Sequence, residues 1–143
     1  MSKAYPRLTN IRPIVSLLVE RNQSDEIAFP DDFTPKEQDI EDSINLLHYQ
    51  QSVSVYTLET DTGKWNVTTG HKFVKSILVF VNNDLAYPKN GLLEDFRGKT
   101  FSEISRSLQR KISSAEVPMC LCLVIDGAEH IHEAIINSAS RIS

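Results

Sequence analysis

The chain has 143 residues, 41% of them hydrophobic and 24% charged, with 15 Lys and Arg against 19 Asp and Glu for a formal charge of −4. A chain of this length buries a core without disulfide or metal staples, so one globular domain over 1–143 is expected. No run approaches the roughly 20 consecutive apolar residues of a membrane-spanning helix, and Met1 to Pro6 lacks an apolar signal core. A cytoplasmic protein with no membrane partner is therefore expected.

The first expected element is a helix from about Pro13. Proline suits a first turn, and Ile14, Val15, Leu17, Leu18 and Val19 supply a broad apolar face. Residues 22–33 are polar, acidic and interrupted by Pro30, which reads as a loop. Thr34-Pro35-Lys36-Glu37 has the form of a capping box and predicts a helix to about Tyr49, with Ile40, Ile44 and Leu47 buried.

Ser52 to Glu59 and Lys64 to Thr69 read as a hairpin around Thr60-Asp61-Thr62-Gly63, with Gly63 supplying a positive φ. Val53 and Val55 face one way while Tyr56 and Leu58 face the other, so either a bulge intervenes or both faces are covered. The unbroken apolar run Ser76 to Val81 predicts a central strand covered on both faces. A long connection follows, Asn82 to Lys99, with Leu92, Leu93 and Phe96 expected as one helical turn pinned to the core.

Thr100-Phe101-Ser102-Glu103 repeats the capping box and predicts a helix burying Phe101, Ile104, Leu108 and Ile112. Met119 to Ile125 predicts another strand, which a right-handed crossover would set parallel to Ser76–Val81. A last helix runs through His130, Ile131, Ile135 and Ile136. The expected class is α+β or mixed α/β, a single domain with a mixed or mostly antiparallel sheet of four or five strands and the order α-β-β-β-α-β-α. This order is similar to that of small acidic secretion chaperones, which are homodimers, a likeness of topology that assigns no function.

The candidate chemistry is sparse. Cys120 and Cys122 share one face of a strand amid apolar neighbours and read as buried, reduced thiols rather than a redox or metal pair. Glu129-His130-Ile131-His132-Glu133 is the densest cluster of potential ligands. On a helix, however, His130 and His132 lie about 200° apart and cannot share a metal, and a zinc site needs three or four ligands. Asp126, before Gly127 and a helix start, suits either a helix cap or a functional carboxylate. No nucleophile elbow or glycine-rich phosphate loop occurs, and no cofactor is implied.

Charge is unevenly placed. From Asp25 to Asp42 eight acidic residues face one base, a local −7 that leaves +3 for the rest of the chain. From Lys64 to Lys111 the balance is +5. The leading expectation is a non-enzymatic protein-binding module of adaptor, chaperone or inhibitor type, using Asp31, Asp32, Asp39, Glu41 and Asp42 to meet a basic partner. Glu37 and Asp39 also complement the helix dipole, which needs no partner. The alternatives are a nucleic-acid-associated protein using Arg106, Arg110 and Lys111, and a small enzyme or metal protein centred on Asp126, His130, His132 and Glu133. A homodimer is expected if the helices cover only one face of the sheet.

Overall fold

The computed structural model describes residues 7–123 and 129–142. Its strands are β1 (Arg7–Ile11), β2 (Ile27–Ala28), β3 (Tyr56–Glu59), β4 (Trp65–Thr69) and β5 (Met119–Leu123). The α-helices are α1 (Val15–Gln23), α2 (Glu37–His48), α3 (His71–Val81), α4 (Arg106–Ser113) and α5 (Glu129–Ile142). Two 3-10 turns lie between α3 and α4, at Glu94–Phe96 and Phe101–Glu103. The strands form one mixed sheet in the order β1-β5-β3-β4-β2, antiparallel at β1/β5 and β3/β4 and parallel at β3/β5 and β2/β4. The α+β class is as expected.

The predicted strand at Ser76–Val81 is instead the second half of α3. Its apolar positions extend back to Phe73 and Val74, and Phe73, Val74, Ile77, Leu78 and Phe80 are all buried, a helical spacing that the run from Ser76 alone does not reveal. Valine and isoleucine in a helix cost at most about 0.7 kcal/mol each, whereas fully burying one such side chain contributes about 1.5–3 kcal/mol, so packing overrides propensity. Ser76 is tolerated at 1% exposure because its hydroxyl donates to the Lys72 carbonyl at 2.7 Å. The parallel partner of β5 is accordingly β3, in the register Tyr56↔Cys120 to Glu59↔Leu123.

The hairpin forms as expected, with β3 shortened to Tyr56–Glu59 and a register shift between Tyr56 and Thr57. Gly63 has φ +84° in the turn, where its amide donates to the Thr60 carbonyl at 2.9 Å. Gly70 caps α3 with φ +75°, and a Cβ there would run into the Ser54 carbonyl. β1 goes beyond the expected order: Arg7–Ile11 pairs with β5 although its side chains are largely exposed.

The Thr34 capping box does not form, whereas the Thr100 box forms where predicted but does not open the predicted helix. α2 starts at Glu37, and it is the Lys36 amide that donates to Asp39 Oδ2 at 2.8 Å, while Thr34 donates its hydroxyl to the Asp32 carbonyl. The Thr100 box is real, with the Thr100 amide donating to Glu103 Oε1 at 2.9 Å, but it closes a single 3-10 turn. Ile104 then adopts extended backbone, and Ser105 caps α4 by accepting from the Leu108 amide at 3.3 Å.

Val15 and Leu18 of α1, Ile40, Ile44 and Leu47 of α2, the buried face of α3, and Ile112 of α4 form one core with Trp65, Val67 and Met119 of the sheet. Tyr87 and Phe96, from the connection after α3, complete it and bring the following residues against α2.

Candidate functional site

The acidic candidates lie on the segment entering α2 and on its exposed side, and most already have partners. Asp31 Oδ1 accepts from the Phe33 amide at 3.0 Å, and Oδ2 stands 3.3 Å from His71 Nε2 at the start of α3. The second contact is an ion pair when His71 is protonated. The Phe33 amide, and then the charges of His71 and Lys72, hold the Asp31 carboxyl below the usual range. Phe33 packs edge-on against His71 and lies under the Lys72 ammonium, so three contacts fasten this loop to α3.

Asp32 is exposed, and its side chain makes no contact among the described residues. Asp39 is the backbone acceptor that begins α2. Glu41 Oε2 accepts from the Leu92 amide at 3.1 Å, and Asp42 Oδ1 accepts from Gln38 Nε2 at 2.9 Å. Neither neutral donor cancels a charge, so Glu41 and Asp42 remain acidic as well as acting as structural acceptors, and Asp32 is exposed and acidic with no such role among the described residues.

Beside them lies an apolar depression that sequence reasoning did not find. Asp42, Asn45, Leu46 and Tyr49 follow helical spacing along α2 and, with Gln51 and Leu92, line a shallow cleft of about 410 Å³. Tyr49 is 58% exposed and Leu92 63% exposed; among the described large apolar side chains only Ile142, on α5, is more open. Leu92 is placed by its neighbours: Glu41 takes its amide, Tyr87 Oη accepts the Leu93 amide at 3.0 Å, and Arg97 Nε donates to the Gly91 carbonyl at 2.7 Å. The pairing of Glu41 with a residue 51 positions away is what no local pattern announces.

The basic candidates do not form one patch. Arg106 and Arg110 border a cleft of about 250 Å³ with Phe101, Gln109 and Ser113. Lys111 points to a different cleft of about 330 Å³, where Arg12 and Glu116 also stand. A near neighbour of Lys111 is His48, whose ring packs against Tyr49 and Phe96. Burial, and then the Lys111 charge, push the His48 imidazole below its ordinary range.

Asp126 lies outside the described residues, as do the side chains of His130 and His132, while Glu133 is exposed on α5. Among the described residues no group of three or more His, Cys, Asp or Glu could hold a metal. Cys122 is fully buried and Cys120 half-buried; desolvation, and then the neighbouring Cys122, raise the Cys120 thiol, which keeps it protonated. No helix among the described residues is long and apolar enough to cross a membrane. Comparison with protein-family models, curated proteins and solved structures finds no match.

Proposed function

We propose that this chain is a non-enzymatic protein-binding module, an adaptor, chaperone or inhibitor of the cytoplasm, whose α2 face receives a basic segment carrying an apolar anchor. The single observation that carries the reading is the cleft itself: Tyr49 and Leu92 stand open to solvent beside Glu41 and Asp42, on a helix whose exposed side is acidic. An exposed apolar patch with a charged rim is the usual composition of an interaction surface. Burying the two anchors would supply affinity, and the acidic rim, with Asp31, Asp32 and Asp39 beyond it, would steer a cationic partner and set its orientation.

The test is a quantitative pull-down from native lysate with three forms of the full chain. Proteins retained by the wild type should be lost from Tyr49→Ser/Leu92→Ser, which removes the anchors. They should bind more slowly and with weaker salt dependence to Asp32→Lys/Asp42→Lys, which reverses charge. Unchanged recovery on both variants sinks the proposal.

One observation favours a second reading. Arg106 and Arg110 share a cleft with Phe101, so a phosphate-bearing strand would find two guanidinium groups and a ring edge together. It predicts a gel shift at low salt that Arg106→Met/Arg110→Met abolishes; absence of any shift removes it.

A further inference from the structure

A second concavity lies away from α2, at the end of the sheet where β3 and β5 begin and β1 ends, with a volume of about 720 Å³. Register places its polar side chains on one face. Asn10 lies opposite Cys120, which lies beside Tyr56, and the alternation carries Arg12 on β1's continuation and Ser52 and Ser54 on β3's approach to the same side. All of them line the groove.

The groove is rich in donors and has no acid. Not one lining residue is Asp or Glu, on a chain with 19 of them. Asn10, Arg12, Ser52 and Ser54 are exposed, and none makes a side-chain hydrogen bond or ion pair with a described residue.

The backbone adds to it. The amide of Cys120 donates to the Val55 carbonyl at 2.9 Å, and the next donor down that parallel ladder would be Pro118, which has no N–H. The β3–β5 pairing stops there, and the amides of Ser52, Val53 and Ser54 donate to no described residue. The Cys120 thiol stays neutral and adds no negative charge. Arg12 also borders the neighbouring cleft, where Lys111 offsets the one carboxylate, Glu116, so the electrostatics on that side do not cancel the guanidinium.

We propose that this groove binds a small ligand through an oxyanion, a phosphate monoester or a carboxylate, with Arg12 taking the charged group in its fork and Asn10, Ser52 and Ser54 meeting the polar body. A planar guanidinium matches two oxygens of such a group at once, and idle hydroxyl and amide donors supply the remaining bonds. The volume admits a molecule of sugar-phosphate size. The site is separate from the α2 face and stands or falls independently of it.

The test is amide chemical-shift titration of the full-length protein with inorganic phosphate, ribose 5-phosphate and citrate, each against sodium chloride at matched ionic strength. Saturable shifts confined to residues 10–12, 52–55 and 119–120 are expected for at least one probe, and whether the phosphate or the carboxylate saturates identifies the source of the oxyanion. Arg12→Met should weaken binding at least tenfold and Arg12→Lys by less, since charge survives there but the fork does not. Lys89→Met, on the connection after α3 and in none of the sites above, should leave it unchanged. The proposal is overturned by shifts that rise linearly without saturation, by shifts centred on α4, or by binding that Arg12→Met leaves intact. Arg12 is exposed and makes no side-chain hydrogen bond or ion pair with a described residue, so its replacement should leave the fold intact.

Discussion

Tyr87 Oη donates to Asn45 Oδ1 at 2.6 Å while accepting from the Leu93 amide at 3.0 Å, so a single buried hydroxyl joins α2 to the connection that carries Leu92. Tyr87 is fully buried and packs on Phe96. Tyr87→Phe keeps the ring and strands both partners. Leaving buried polar groups unpaired costs about 1–3 kcal/mol, and urea denaturation should show a lower midpoint with an unchanged slope. Binding at the α2 cleft should weaken with it, because Leu92 loses part of its anchoring.

Two glycines should respond differently to alanine. Gly63 and Gly70 both hold positive φ, which costs a side chain about 1–2 kcal/mol. A Cβ at Gly63 meets nothing, whereas at Gly70 it meets the Ser54 carbonyl and stands 2.9 Å from Val55 Cγ2. Gly70→Ala should therefore lower the melting temperature clearly more than Gly63→Ala. Equal losses in a thermal melt would show that the Ser54 segment yields freely.

The acidic residues of α2 should separate by role. Asp39→Ala removes the acceptor of the Lys36 amide and should cost about 0.5–2 kcal/mol, as loss of a helix cap does. Asp42→Ala breaks only an exposed side-chain bond to Gln38 and should stay within about 0.5 kcal/mol. Chemical denaturation of the two variants side by side reads the difference.

His48 should titrate below 6.5, the ordinary value for imidazole, in an NMR pH series, because burial and Lys111 disfavour its charge. The folded pKa lies below the unfolded one, so this group favours the native state while neutral. Stability should decline as pH falls from the unfolded value toward the folded one. Lys111→Met should move the His48 titration upward. Asp31 has the opposite sense: its lowered carboxyl stabilises the fold above the usual carboxylate range and loses that effect as pH falls through its folded pKa.

Local signals in the sequence carried α2, the β3–β4 hairpin, β5 and the Thr100–Glu103 capping box, because each depends on residues within a few positions of one another. Ser76–Val81 reads as strand because its unbroken run of five apolar residues, Ile77 to Val81, has no period, and the decisive residues Phe73 and Val74 lie outside it. β1 was missed because Arg7, Thr9 and Asn10 give it little apolar content; its stability comes from β5, which lies far along the chain. The acidic segment was legible as charge, yet the contacts of Asp31 with His71 and of Glu41 with Leu92 are long-range and decide which charges are structural. Tyr49 and Leu92 read as ordinary apolar residues, and only their exposure marks them.

The position of β5 between β1 and β3 has a consequence for how the chain is made. Residues 7–11 leave the ribosome before residues 119–123, the strand they pair with, so β1 must wait, unpaired, while the residues between them are synthesised. Such contacts, distant in sequence, slow folding because loop closure precedes any return in contact energy. A chain truncated before Met119 would lose the strand that joins β1 to the β3–β4 hairpin, leaving a nascent edge open to other chains.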